Sequence, residues 1–123
     1  MDIVVAIIEK DGKFLSTSRK NNYELFGLPG GKVEPRDKSL LAAIIRETRE
    51  ETGVIILEAE LISNRTYKGE QTYAFKVTNW RGTPFTDIEA KKRGEGMVRW
   101  LSAEDLSFGF CGDYNKDLLT KLK

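Results

Sequence analysis

The segment from Ser39 to Gly53 constrains the fold more than any other part of this 123-residue chain. A serine side chain can accept a hydrogen bond from the exposed amides of a first helical turn, so Ser39 is the expected N-cap, with Asp37 as the alternative. Gly53 stands where a helix commonly ends on a left-handed residue. Nothing between them breaks a helix, so the sequence predicts one over Ser39–Thr52. At about 100° per residue, Leu41, Ile44, Ile45 and Thr48 share one face, and an apolar face of that width needs a sheet to pack on.

Strands are expected on both sides of it. Ile3 to Glu9 is a nearly continuous apolar run ending at Lys10-Asp11-Gly12, and Phe14 to Arg19 pairs back as a hairpin. Asn21 and Asn22 mark a loop, and Tyr23 to Leu28 is a short apolar segment stopped by Pro29-Gly30-Gly31. After the helix come a β-branched stretch, Val54 to Tyr67, and an alternating one, Thr72 to Thr78. Arg81 to Gly96 reads as a polar loop carrying Lys91-Lys92-Arg93, and Met97 to Leu101 as a short strand. Ser102 to Leu106 reads as a serine-capped helical turn, and Tyr114 to Leu122 as a helix with Leu118, Leu119 and Leu122 inward. The pattern predicts one α/β domain over residues 1–123, with a mixed sheet between the central helix and the C-terminal helix.

Two absences narrow the chemistry. There is no histidine, which excludes Ser-His-Asp and Cys-His nucleophilic schemes and histidine-ligated zinc. A general base must then be a carboxylate, lysine, tyrosine or water activated by a metal. The single cysteine, Cys111, cannot form an internal disulfide; a small, partly buried role is expected for it, in a reducing, cytoplasmic setting. The apolar start lacks the basic leader and small-residue cleavage site of a signal peptide, and no apolar run is long enough for a membrane span. A net charge of +1 gives no global field to recruit a nucleic acid polymer or an anionic membrane.

Glu47, Glu50 and Glu51 fall within an arc of about 100° beside the apolar helix face. Like charges at this spacing weaken a helix slightly, and a hard divalent cation relieves the repulsion. Oxygen-only ligands suit magnesium, manganese or calcium. The glycines before the helix allow the backbone to come close and offer a carbonyl. Arg46, one step from Glu47 and one turn from Glu50, can orient a carboxylate or offset phosphate charge. Taken alone, such a cluster is more often a solvated helix end.

The whole stretch, GGKVEPRDKSLLAAIIRETREETGV from Gly30 to Val54, resembles the Nudix hydrolase signature G-x5-E-x7-R-E-U-x-E-E-x-G-U, with U a bulky apolar residue. Gly31 matches the first glycine, and Arg46, Glu47, Glu50, Glu51, Gly53 and Val54 match the second half. Thr48 departs at the first U position. The first acidic position departs further: counting forward from Gly31 gives Asp37, counting back from Arg46 gives Lys38, so the loop before Ser39 carries one extra residue. Asp37 is expected either as a shorter stand-in for that glutamate or as a helix cap.

The resemblance implies a Nudix-like α/β/α sandwich and a Mg2+-dependent hydrolase, with Mn2+ as a substitute, that cleaves a diphosphate linkage. Glu50 and Glu51 are the implied metal ligands, joined by Glu47, which Arg46 orients, and by the Gly30 carbonyl. Glu95 is the candidate distal base, set against an ordinary exposed loop glutamate. Arg19, Tyr23, Phe26 and Lys32 lie on segments that flank the substrate in the family, with a core position as the alternative for Phe26. Asn115, similar in place to an asparagine that reads the purine edge in the bacterial oxidised-dGTP hydrolase, is expected to read a base or to cap the last helix. The implied substrate is a nucleoside triphosphate, oxidised dGTP included, cleaved to monophosphate and pyrophosphate. ADP-ribose, a dinucleoside polyphosphate or a nucleotide sugar is the runner-up, and a non-catalytic nucleotide sensor is the reading from another class. A small-molecule nucleotide is the expected partner, and the chain is expected as a monomer or homodimer.

Overall fold

The computed structural model describes residues 1–122. Strand β1 (Asp2–Ile7) is an inner strand of a four-stranded mixed sheet. It runs parallel to β7 (Glu70–Arg81), from Ile3↔Thr72 to Ile7↔Lys76, and antiparallel to the short edge strand β5 (Gly30–Lys32). Strand β6 (Ile55–Tyr67) closes the other edge as a long hairpin with β7.

The unbroken apolar run of β1 follows from cover on both faces. Val4 and Ala6 turn to one side, where they meet Ala43, Ile44 and Val54. Val5 and Ile7 turn to the other, where they meet Leu106, Tyr114, Leu118 and Leu119. The sheet therefore lies between helix α1 (Leu40–Thr52) and helix α4 (Gly112–Thr120), as the sequence implies.

One part of the expected topology is different. The run Ile3–Glu9 does not form a single hairpin arm. It divides at Ile8, which is fully buried and accepts the Leu15 N–H at 2.9 Å. Beyond it, β2 (Glu9–Lys10) joins a second, antiparallel sheet in which β3 (Lys13–Arg19) pairs with β2, β4 (Asn22–Gly27) and β8 (Val98–Leu101). An apolar run gives no sign of a strand that changes sheets, because its residues stay buried throughout.

Helix α1 starts and stops as expected. Ser39 Oγ accepts the Ala42 N–H at 3.0 Å, and Gly53 takes φ 82° with its N–H on the Arg49 carbonyl. Its buried stripe is Ala43, Ile44, Thr48 and Thr52, whereas Leu41 is exposed and Ile45 half-buried. The contact line is the i, i+4, i+8 row from Ile44, which leaves Leu41 at the rim.

The stretch Arg81–Gly96, expected as loop, contains α2 (Asp87–Lys92), opened by a capping box between Thr86 and Glu89. With only Ala90 buried, it has no apolar periodicity; its sequence signal was the Thr-x-x-Glu spacing. Helix α3 (Ala103–Ser107) is capped by Ser102, as expected. Helix α4 begins two residues before Tyr114, with Cys111 in the left-handed region (φ 56°) as its cap. Among the described residues no helix is long and apolar enough to cross a membrane.

Candidate active site

The C-terminal half of α1 faces strand β5, and two glycines permit the approach. A Cβ on Gly31 would lie 2.7 Å from the Glu47 carboxyl carbon, so the absent side chain leaves the space this carboxylate occupies. A Cβ on Gly30 would lie 2.1 Å from the Val4 carbonyl oxygen, so backbone packing alone requires glycine there. The Gly30 N–H donates to Glu51 Oε1 at 3.2 Å.

Arg46 organises the acidic groups. Its side chain is only 10% exposed, and Nε and Nη2 grip the two oxygens of Asp37, each at 2.9 Å. Nη1 donates to Glu47 Oε1 at 2.9 Å and approaches Glu34 Oε2 at 3.0 Å, with Glu50 further off at 3.4 Å. Nη2 also reaches the Lys32 carbonyl at 3.3 Å. A bidentate arginine–carboxylate pair fixes the plane of the guanidinium, so Arg46 can meet Glu47 in only one orientation.

Asp37 is thus neither the helix cap, which is Ser39, nor a group turned to the carboxylate cluster. Its Oδ2 also accepts the Glu34 N–H at 2.8 Å. The Arg46 hydrogen bonds, with that backbone bond, hold its carboxyl at about 2, below the ordinary value of 3.8. Arg46 is pushed correspondingly above its ordinary value, first by its bond to Asp37 and also by Glu47.

Glu51 has the opposite environment. As a residue it is half-buried, and its carboxylate is the part turned inward. Loss of water, then the hydrogen bond and charge of Glu47, then the charge of Glu95, push its pKa well above the usual carboxylate range. The one opposing contact is the Gly30 amide. A nearby cation would favour the charged form of such a carboxylate, and the oxygen donors of Glu47, Glu50 and Glu51 suit a hard divalent ion. As the side chains stand, no three acidic or thiol groups among the described residues already meet at metal-binding spacing. Glu50 leans instead to Arg46 and to Arg36, at 3.4 Å from each.

Glu47, Glu50, Glu51 and Glu95 line one cavity of about 630 Å³. Glu95 is held there: a Cβ on the next residue, Gly96, would lie 2.0 Å from the Ser18 carbonyl oxygen, and Met97 N–H donates to Ser18 Oγ at 2.8 Å. Lys20 Nζ is 3.5 Å from Glu95. A second cavity of about 450 Å³ lies beside α4, lined by Lys32, Tyr67, Thr72, Tyr114 and Asn115 among others. Arg19, Leu28, Gly30 and Phe110 line both, so the two spaces adjoin. The Arg19 guanidinium stacks 4.1 Å from the centre of the Phe110 ring, which fixes it at the junction.

The sequence-derived substrate residues divide. Arg19, Lys32 and Asn115 line the cavities. Tyr23 and Phe26 line neither: Tyr23 is exposed, with Lys91 6.0 Å from its ring centre, and Phe26 is half-buried, its carbonyl accepting the Phe110 N–H. Asn115 sits inside α4 and does not cap it. Its amide hydrogens go to the Leu106 and Phe110 carbonyls, so it does not donate and accept at once toward a base. Phe110, Lys20 and Ser18 were missed, because an exposed aromatic, a loop lysine and a strand serine carry no motif. Cys111 is half-buried, and loss of water raises its thiol pKa, as suits an unreactive thiol.

The NUDIX domain model matches residues 2–119. The chain is 38% identical over 112 residues to the CTP pyrophosphohydrolase of Escherichia coli, an alignment covering 85% of this chain and 78% of that protein. It is 50% identical over 54 residues to the ADP-ribose pyrophosphatase of Methanocaldococcus jannaschii, covering 42% of this chain and 31% of that longer relative. A MutT structure from work on Aliivibrio salmonicida and Vibrio cholerae superposes with a TM-score of 0.75 at 24% identity, over 98% of this chain and 94% of the other, a likeness of fold. A family match over nearly the whole chain, on a helix whose Arg46 and glutamates face the glycine strand, establishes that the chain belongs to the Nudix family, as an enzyme of its pyrophosphohydrolase type.

Proposed function

We propose that this chain, acting as one domain over residues 1–123, hydrolyses a nucleoside triphosphate to the monophosphate and pyrophosphate in a cytoplasmic setting. The observation that carries the reading is the pair of adjoining cavities, one acidic beside α1 and one of mixed polarity beside α4, sharing Arg19 and Phe110 at their junction. A nucleotide has the same division, with a polyphosphate at one end and a base at the other.

Glu47, Glu50 and Glu51, with the Gly30 carbonyl, would hold Mg2+ or, as a substitute, Mn2+. When bound, such an ion supplies positive charge to the diphosphate oxygens and acidifies water. The chain's own groups do the rest. Arg46, locked by Asp37, orients the Glu47 carboxylate. The Glu95 carboxylate accepts a proton from the attacking water, and Lys20 beside it balances the charge. Arg19 contacts the phosphates at the junction, and Lys32 and Asn115 face the nucleoside.

The segment 50% identical to an ADP-ribose pyrophosphatase favours ADP-ribose as a second substrate reading. A purely sensory role is disfavoured by the retention of all three glutamates. The test is a panel of nucleoside triphosphates, oxidised dGTP, ADP-ribose, a dinucleoside polyphosphate and a nucleotide sugar, incubated with Mg2+ and with chelator. Products are separated as monophosphate, phosphate and pyrophosphate. Metal-dependent release of pyrophosphate from a triphosphate is expected. Turnover confined to ADP-ribose would replace the first reading with the second, and none on any member would overturn both.

A further inference from the structure

We infer that Phe110 is a positioning residue: its ring holds the Arg19 guanidinium at the junction of the two cavities and leaves the N–H groups of that side chain free for a phosphate. The inference rests on the nucleotide-hydrolase reading above and adds to it the residue through which Arg19 is aimed.

Sheet pairing alone does not aim Arg19. The residue ends β3, and the ladder to β4 changes register between Ser18 and Arg19. Arg19 is exposed, and among the described residues its guanidinium has no carboxylate or carbonyl partner; its contact is the Phe110 ring, whose centre lies 4.1 Å from Cζ. Arg46 is the contrast, with its donors spent on Asp37, Glu47 and the Lys32 carbonyl. An aromatic face attracts a cation through its quadrupole and uses none of the cation's hydrogen bonds. A guanidinium held in this way keeps its whole donor fork for a ligand, and that fork matches phosphate oxygens.

Phe110 can hold another group because its own backbone is pinned from two sides. Its N–H donates to the Phe26 carbonyl on β4 at 2.8 Å, and its carbonyl accepts the buried Asn115 amide of α4 at 2.9 Å. Two glycines let the segment lie against β4. A Cβ on Gly109 would sit 2.0 Å from the Phe26 carbonyl oxygen, and one on Gly27 would sit 3.3 Å from the Phe110 carbonyl oxygen. The Phe110 residue is nevertheless 41% exposed, so core packing does not account for a phenyl group there. What the ring covers is Arg19. An exposed arginine left to itself loses rotamer freedom when it grips a ligand, and a ring that fixes it beforehand reduces that cost.

The test uses the full chain. Binding of cytidine against CMP, and of guanosine against GMP, is measured by calorimetry with Mg2+, so that the gain in affinity within each pair isolates the phosphate from the base and no turnover is needed. Arg19→Ala should cut that gain about tenfold or more. Phe110→Leu should cut it about two- to fivefold and leave both nucleosides unchanged. Phe110→Tyr, which keeps the ring, should restore it, and on the Arg19→Ala background Phe110→Leu should cost nothing further. In nuclear magnetic resonance spectra the ring should shift the Arg19 Nε–H upfield, and Phe110→Leu should remove that shift. An unchanged phosphate gain in Phe110→Leu, a loss that persists without Arg19, an Arg19 resonance lacking the ring shift, or no binding by any of the four would overturn the inference. A parallel assay of CTP and GTP with Mg2+ separates the two claims. Turnover with the phosphate gain unaltered in Phe110→Leu sinks the positioning role alone, whereas the expected binding pattern without turnover of any nucleotide sinks the hydrolase reading alone.

Discussion

Thr48 should be the easiest place to make this protein more stable. It stands where the family signature has a bulky apolar residue, it is fully buried on the sheet-facing side of α1, and its Oγ1 has no hydrogen-bond partner among the described residues. A helical threonine usually donates to the carbonyl four residues back, as Thr52 does to the Thr48 carbonyl at 2.7 Å. Thr48 forgoes that bond, so its hydroxyl was desolvated without compensation, at a cost of about 1–3 kcal/mol. Valine has nearly the same shape and the same branching at Cβ, so the backbone and neighbours need not move. Thr48→Val should therefore gain about 1–2 kcal/mol. For a chain of this length that is about 4–8 °C in Tm. Thermal unfolding followed by circular dichroism, with a denaturant midpoint as a second measure, reads the change. Turnover should be retained, because Thr48 lines neither cavity. An unchanged or lowered Tm would mean that the hydroxyl is satisfied after all, and the reasoning would fail.

Glu51→Gln should remove most metal-dependent turnover. Its raised carboxyl pKa also means that, in chelator, the wild-type fold loses stability as pH rises above the ordinary value of 4.5, a slope the variant should lack; equal slopes in melts across pH would refute this. Asp37, held at about 2 against 3.8, stabilises the fold fully above pH 3.8, and that contribution is lost as pH falls through about 2. Asp37→Asn should accordingly flatten the acid-unfolding curve in that window, and superimposable curves would count against the Arg46 clamp. Gly31→Ala places a methyl 2.7 Å from the Glu47 carboxyl carbon. The flexible side chain can yield, so the fold should persist while turnover drops about tenfold to a hundredfold; full turnover would show that the position of Glu47 is unimportant.

The sequence made α1 legible because its ends are written in local chemistry: a serine that caps and a glycine that takes positive φ. The two-sided cover of the mixed sheet was legible in the unbroken run Ile3–Ile8. Its division between two sheets was not, since Ile7, Ile8 and Leu15 are equally buried on either path. Helix α2 escaped because six residues with one buried alanine have no period to detect. At the candidate site, the three glutamates placed by the long motif, Glu47, Glu50 and Glu51, line the acidic cavity. Those assigned by segment alone were less well served: Arg19 and Lys32 line a cavity, whereas Tyr23 and Phe26 do not. The motif fixes spacing along one helix and its preceding strand. The direction of a side chain on β4 depends on register, and β3 carries a register shift at Ser18–Arg19 opposite it.

The departure at Asp37 has a geometric explanation. Relative to the signature, the acid is one methylene shorter and the loop before α1 is one residue longer. A shorter side chain must start nearer its target, and the longer loop allows that. The backbone turns back on itself, with Asp37 N–H on the Glu34 carbonyl at 2.9 Å and Glu34 N–H on Asp37 Oδ2 at 2.8 Å. This turn delivers both carboxylate oxygens to Arg46 at 2.9 Å, and the paired bonds hold the guanidinium plane so that Nη1 points at Glu47. The same turn brings Glu34 within 3.0 Å of Nη1, so Arg46 answers to the loop and to the helix together. The shorter acid and the longer loop thus meet in one geometry, with Asp37 turned back on Glu34 and both its oxygens on Arg46. The acid at this position holds Arg46 in place, and in the proposed mechanism it would serve Glu47 through that arginine.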